Sequence, residues 1–178
     1  LLLQLGYSPR EAELARIAGY LHDIGNVVNR VDHAQSGAVM AFRLLDQLGM
    51  PAEEIAVVVS AIGNHDEGTA FPVNAVAAAL ILADKGDVRR SRVHNPDPGT
   101  FDIHDRVNYA AERSSLELTE DHSAVMLDLT IVSQRGSYSW NPAIVCKTDV
   151  DEFEALCRRA ADKLGIQFRL VINGQNIL

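Results

Sequence analysis

The sequence predicts an α+β protein: an all-helical bundle over residues 1–100, followed by a small α+β unit over residues 101–178. Three observations predict it. Apolar residues recur at helical spacing in successive stretches up to Arg89. A turn cluster, Asn95-Pro96-Asp97-Pro98-Gly99, then interrupts the chain. Beyond it the texture changes to alternation, as in Ser115-Leu116-Glu117-Leu118-Thr119, which is the period of a strand. With 178 residues, 47% of them apolar, the chain is long enough for one ordinary domain, or one with a small appendage, and for a sizeable core.

The elements follow in order. Leu1-Leu2-Leu3-Gln4-Leu5-Gly6 lacks a capping residue and reads as the end of a helix stopped by Gly6, with its beginning expected upstream of Leu1. Ser8-Pro9-Arg10-Glu11 starts the next helix: Ser8 caps, Pro9 suits the first position, and Glu11 completes a capping box. Leu14, Ile17, Ala18 and Leu21 continue it at helical spacing. It is expected to end around His22-Asp23-Ile24-Gly25, where Gly25 would let the backbone turn away.

A polar loop, Asn26 to Asp32, leads to a helix from about His33 to Leu48, closed by Gly49. Pro51 opens a third helix carrying Ile55, Val58, Val59 and Ile62, broken at Gly63-Asn64-His65-Asp66-Glu67-Gly68. A fourth is expected over about Val73 to Arg89. It is apolar on most faces, which places it at the centre of the bundle. Asp102 to Glu112 reads as a short helix. Ser115–Thr119 and Ala124–Val132 form a hairpin around Glu120-Asp121-His122, and Ser133 to Pro142 is a polar loop. A helix from Asp149 or Val150 to Leu164 stops at Gly165. Gln167–Ile172 is the last strand, and Asn173-Gly174 a tight turn.

Charge and cysteine content exclude some classes. A net charge of -8 gives no electrostatic pull toward a phosphate backbone, so general nucleic-acid binding is not expected. A small phosphorylated substrate is compatible with it. No apolar run has the length of a membrane span, and Leu1–Leu3 lacks a basic leader, so no membrane association is expected. Cys146 and Cys157 read as core thiols of a cytoplasmic protein.

The residues with chemical potential concentrate in the first part. His22-Asp23 closes an apolar helix. Gly63-Asn64-His65-Asp66 closes another. Asp84 interrupts the most apolar helix, and a buried carboxylate is costly unless it is paired or binds a cation. Histidine and carboxylate ligands together suit Mn, Fe or Zn, with carboxylates and water favouring harder ions. Lys85, Arg89, Arg90 and Arg92 follow Asp84, either as phosphate contacts or as a solvated helix end. Asp66 and Glu67 read as acids for a leaving group or as a surface loop. Asn26 reads as a substrate contact or as turn chemistry. His94, His104 and His122 read as surface residues. Asp102-Ile103-His104-Asp105 lacks the following glycine and the apolar helix.

Leu21-His22-Asp23-Ile24-Gly25, the downstream His33 and His65, and Ala83-Asp84 on a buried helix together resemble the HD superfamily of metal-dependent phosphohydrolases. The resemblance covers about Leu1 to Arg92. It implies that His22, Asp23 and Asp84 bind metal, that His33 and His65 extend the site toward a second ion, and that Asp23 bridges ions or holds the attacking water. It implies one or two divalent ions among Mn, Fe, Mg and Zn, which clamp a phosphoryl group and acidify water. The catalytic set expected on this basis is Asp23, Asp66 and Lys85, acting on a nucleotide or similar small phosphorylated compound. The family's first histidine precedes the His-Asp pair, and no histidine occurs between Leu1 and Leu21. That ligand is expected upstream of Leu1. The alternative is a non-catalytic signalling or scaffold module with a degenerate metal site. For residues 101–178 the sequence offers no catalytic pattern. Their hairpin and last strand would cover the site or form a homodimer surface.

Overall fold

A computed structural model describes residues 1–66, 69–101, 103–132, 134–135, 138–139 and 147–177. Residues 1–7 close with paired hydrogen bonds, Gly6 N–H to the Leu3 carbonyl at 3.2 Å and Tyr7 N–H to the Leu2 carbonyl at 3.1 Å. With Gly6 at φ +85°, this is the pattern that ends a helix on a left-handed glycine. Helix α1 (Pro9–Leu21) begins with the expected capping box. The Glu11 N–H donates to the Ser8 hydroxyl at 3.2 Å, and the Ser8 N–H donates to the Glu11 carboxylate at 2.9 Å.

Helices α2 (His33–Gln47) and α3 (Ala52–Gly63) pack on each other, and α1 packs on α3 and α4 (Ala75–Gly86). The apolar helix α4 is shorter than its apolar run suggests. Asn74 caps it, accepting from the Ala77 N–H at 2.8 Å, and its last turn closes at Gly86. Its composition follows from its position. Val76, Ala77 and Leu80 enter a core with Leu14, Leu21, Leu45, Val58 and Ile62 of the other helices. Ala78, Ala79, Ile81 and Leu82 enter a second core with the sheet. A helix buried on two faces has no room for a polar stripe.

Helix α5 (Ile103–Ala110) runs into strand β1 (Ala111–Leu118) with no loop between them, so the helix ends, and the strand begins, earlier than the sequence pattern suggests. A bulge at Glu112 absorbs the change of direction. Strand β1 pairs antiparallel with β2 (Ala124–Ile131), and the hairpin turn carries His122 at φ +56°. Gln134–Arg135 (β3) and Tyr138–Ser139 (β4) pair as a two-residue ladder where a polar loop is expected. Helix α6 (Lys147–Lys163) leads to β5 (Gln167–Ile172), parallel to β2, and β5 pairs with β6 (Gln175–Asn176). Asn173 and Gly174, both at positive φ, make the tight turn between them.

Val125, Leu127, Leu129 and Ile131 alternate onto the face that packs with Phe168, Leu170 and α6 residues Leu156, Cys157, Ala160 and Ala161. Glu117 and Asp128 alternate onto the opposite face. Cys157 is buried in this core; Cys146 lies outside the described residues. Among the described residues no helix is long and apolar enough to cross a membrane.

One close approach fixes the site. After α1 the chain makes a 3-10 turn (Ile24–Val27), and Gly25 lies against the first turns of α2. A Cβ on Gly25 would overlap the His33 carbonyl oxygen and lie 2.6 Å from the Gly37 nitrogen. A Cβ on Gly37 would lie 3.2 Å from both the Gly25 nitrogen and the His22 carbonyl oxygen. Gly25 is therefore needed for contact between two backbones. The sequence assigned it to a sharp turn, but its φ is not in the left-handed region. Gly25→Ala is expected to lower stability by about 1–3 kcal/mol through overpacking. An unchanged urea midpoint for that variant would contradict the close approach.

Candidate metal centre

Four elements bring five side chains together. His22 is the C-terminal cap of α1. Asp23 follows it at φ -94° and ψ 6°, a backbone region common at active sites. His33 is the first residue of α2, set there by Asp32 in the left-handed region at φ 56°, which aspartate tolerates better than most residues. His65 follows α3 at the turn after Asn64. Asp84 is in the last turn of α4.

The Asp23 carboxylate is the hub. Its Oδ2 lies 3.5 Å from His22 Nε2, and its Oδ1 lies 3.3 Å from His33 Nε2 and 3.9 Å from His65 Nε2. Asp84 Oδ1 lies 3.7 Å from His22 Nε2 on the other side. His22, Asp23 and His65 each offer one ligand atom, all within 4.8 Å of one another. Ligands about 2.1 Å from an ion stand about 3.0 Å apart when adjacent and about 4.2 Å when opposite. The separations here fall mostly in that range, so this donor set fits a divalent cation. His33 and Asp84 each lie against one member of this group, Asp23 and His22 respectively.

The ring orientations are fixed in one way. His22 Nδ1 lies 2.8 Å from the Gly19 carbonyl, His33 Nδ1 3.0 Å from Arg30 and His65 Nδ1 2.7 Å from Ile62. Each is the carbonyl three residues back. A backbone carbonyl only accepts, so each Nδ1 carries a proton, and in the neutral ring the Nε2 lone pair then faces the centre. Second partners of this kind orient metal-ligating histidines. The rings brace one another edge-on, His65 to His22 at 5.0 Å and to His33 at 5.2 Å between centroids.

The electrostatics follow from burial and these contacts. His33 and His65 are each 2% exposed. Burial pushes His65 below the usual imidazole range, keeping it neutral, and the neighbouring His22 adds to this. Burial also works against a charged His22, but Asp84, the Gly19 carbonyl and the Asp23 charge outweigh it, so its pKa is raised. Burial would raise the Asp84 carboxyl. The His22 contact, Lys85 and Arg92 together hold it well below the usual carboxylate range.

Lys85 Nζ lies 3.0 Å from Asp84 Oδ2. The three arginines have local partners. Arg92 spans the α4 terminus, donating to the Asp84 and Asp87 carbonyls at 3.3 and 3.1 Å and to Asp84 Oδ1 at 3.4 Å. Arg89 pairs with Asp87 at 2.9 Å, and Arg90 stacks on Tyr109 at 4.7 Å. Asp66 is half-buried beside His65, and its carbonyl accepts from the Thr69 N–H at 3.0 Å. Glu67 lies outside the described residues, as does the His104 side chain. Asn26, His94 and His122 are exposed.

The sequence reading passed over Gln35, which donates to the Gly63 carbonyl at 3.3 Å and to Thr69 at 3.2 Å. It ties α2 to the loop that carries His65. A polar residue two positions after His33 gave no signal of that tie. An apolar groove of about 730 Å³, lined by Ile17, Tyr20, Leu44, Leu48 and Met50 among others, sits at the far end of α2. It is roughly 16 Å along that helix from His33, and none of the five site residues lines it.

The family model described as HD domain matches residues 1–98. No curated protein and no solved structure matches the chain.

The metal-free protein should show two acid-side losses of stability. The folded state resists protonating His65, while the unfolded chain takes that proton near pH 6.5. Stability from His65 is thus present above about pH 6.5 and declines as pH falls through that value toward its lower folded pKa. The Asp84 contribution declines only below about pH 4, where the unfolded carboxyl protonates. His22 has the opposite sign: its contribution is present below about pH 6.5 and declines as pH rises through its raised folded pKa. In urea midpoints followed from pH 8 to 4, His65→Gln should remove the loss that sets in as pH falls below about 6.5. A variant curve parallel to the wild type in that window would show that His65 is not held neutral.

Proposed function

Because the chain belongs to the HD-domain family, a family of metal-dependent phosphohydrolases, we propose that it hydrolyses a phosphoester of a nucleotide or similar small phosphorylated compound. The observation that carries this reading is the convergence of three histidine Nε2 atoms on the two oxygens of Asp23. A divalent ion, one or two of Mn, Fe, Mg or Zn, would supply Lewis acidity toward a phosphoryl oxygen and make water ionisable near neutral pH.

The chain's own residues divide the remaining work. His22, Asp23, His65 and Asp84 would hold one ion. His33, which also faces Asp23, would extend the site toward another. Asp23 has the exposure for work at the mouth: its side chain is 44% exposed, against 9% for Asp84. It would orient the attacking water. Lys85 stands beside Asp84 and would donate to a phosphoryl oxygen. Asp66, next to His65, would protonate the leaving group. Lys85 adjoins Asp84, with its Nζ 3.0 Å from Oδ2, which makes it a better candidate for phosphate than Arg89 or Arg90, whose contacts go to Asp87 and Tyr109. The net charge of -8 favours a small phosphorylated compound over a polyanion.

Elemental analysis of the purified protein should find one or two equivalents of Fe, Mn or a similar ion, and Asp84→Ala should lose them. In a screen of nucleotides and small phosphoesters, Asp23→Ala should lower turnover at least about a hundredfold. If Asp23→Ala keeps both its metal and its hydrolysis, the assignment is wrong. Lys85→Ala should keep the metal and lose roughly ten- to a hundredfold in kcat/KM, as expected for a lost charge-assisted contact to phosphate. An unaltered kcat/KM would remove Lys85 from the site.

A further inference from the structure

The last turn of a helix leaves carbonyls without helical partners. In α4 two of these, on Asp84 and Gly86, are taken up by protein groups. The Asp84 carbonyl accepts from the Asp87 N–H at 3.2 Å and from Arg92. The Gly86 carbonyl accepts from the Val88 N–H at 2.9 Å and from the Ser114 hydroxyl at 2.6 Å. Ser114 is on β1, 28 residues away in the chain.

The same strand touches Gly86 from a second direction. A Cβ on Gly86 would stand 3.2 Å from Leu116 Cβ, so the glycine is what lets β1 come this close. Ser114 and Leu116 are two apart, and therefore on one face of the strand. Leu116 packs against the second core. Ser114 is a polar residue on that inward face, and a hydroxyl there needs a partner. Its partner is the end of the helix that carries Asp84.

We propose that Ser114 is a positioning residue for the metal centre: by fixing the last turn of α4, it sets where the Asp84 carboxylate stands. The inference rests on the reading of Asp84 as a metal ligand. It also gives residues 101–178 a part in the site, although they contribute none of the five clustered side chains. Gly86 is two residues from Asp84, and a productive metal geometry tolerates displacements of only about 0.5 Å. A loosened last turn would move Asp84 relative to His22, across their 3.7 Å separation.

The test is a titration of the metal-free full chain with Co(II), whose visible absorption reports its coordination, on wild type, Ser114→Ala, Ser114→Thr and Asp84→Asn. Ser114→Ala should stay folded, bind Co(II) roughly three- to tenfold more weakly, and show an altered visible band. Direct partners of a ligand typically give 10–100-fold, and Ser114 acts one step further out. Ser114→Thr keeps the hydroxyl and should restore both affinity and band. A purely structural role would lower the melting temperature and leave both unchanged. Ser114→Ala titrating like wild type, while Asp84→Asn loses Co(II), would overturn the inference and leave the metal reading intact. Wild-type uptake by Asp84→Asn, or no uptake by wild type, would overturn the metal reading, and the inference with it.

Discussion

The site depends on two backbones meeting without side chains between them. Gly25 lies against the first turns of α2, and Gly37 returns the contact toward the His22 carbonyl. This crossing holds the end of α1, which carries His22 and Asp23, against the start of α2, which carries His33. Any Cβ at Gly25 would push the two apart, and the 3.3 Å between Asp23 and His33 would open with them. The His-Asp-Ile-Gly string therefore does two kinds of work. Two residues supply candidate ligand atoms, and the last lets a third candidate, His33, come near.

Much of this was legible in the sequence because it is local. The Ser8–Glu11 capping box, the Asn173-Gly174 turn and the alternation of Ala124–Ile131 are each decided by a few adjacent residues. The site residues stood out as polar groups at the ends of apolar helices, and Asp84 as a carboxylate inside one. What was not legible depends on distant partners. At the early end of α4 the partners are a serine on β1 and an arginine eight residues past Asp84. Arg92, read as a phosphate contact or a solvated helix end, pairs with Asp84; the need of a buried carboxylate for a partner was legible, but which residue supplies it was not. The parallel pairing of β5 with β2 joins segments some forty residues apart, with a helix between them. The close approach at Gly25 was not legible, since a glycine that serves a turn and one needed for closeness look alike in sequence.

The three histidines show how one device can be repeated. Each gives its Nδ1 proton to the carbonyl three residues earlier, so ring orientation is settled before any ligand arrives. The rings differ in what surrounds them. His65 is buried among other imidazoles and stays neutral. His22 faces two carboxylates and holds its proton more tightly. A cation entering the cluster would compete with a proton for His22 Nε2 and offset the charge of Asp23 and Asp84. Those carboxylates already lie where a positive charge is favoured, and Lys85 and Arg92 partly supply it at Asp84.

Helix α4 ties the chemistry to the second half of the chain. One of its faces belongs to the core of the helical bundle and the other to the core beneath the sheet. Its last turn delivers Asp84 between them. A helix packed on one side only could shift along its axis at the cost of a few surface contacts. With both faces interlocked and its final carbonyl bonded to β1, a shift of α4 would disturb two cores at once, and densely packed interiors resist such motion. The position of Asp84 is thus set by the whole fold rather than by the bundle alone. This is a physical reason for the bundle and the sheet to share a helix instead of being joined by a linker.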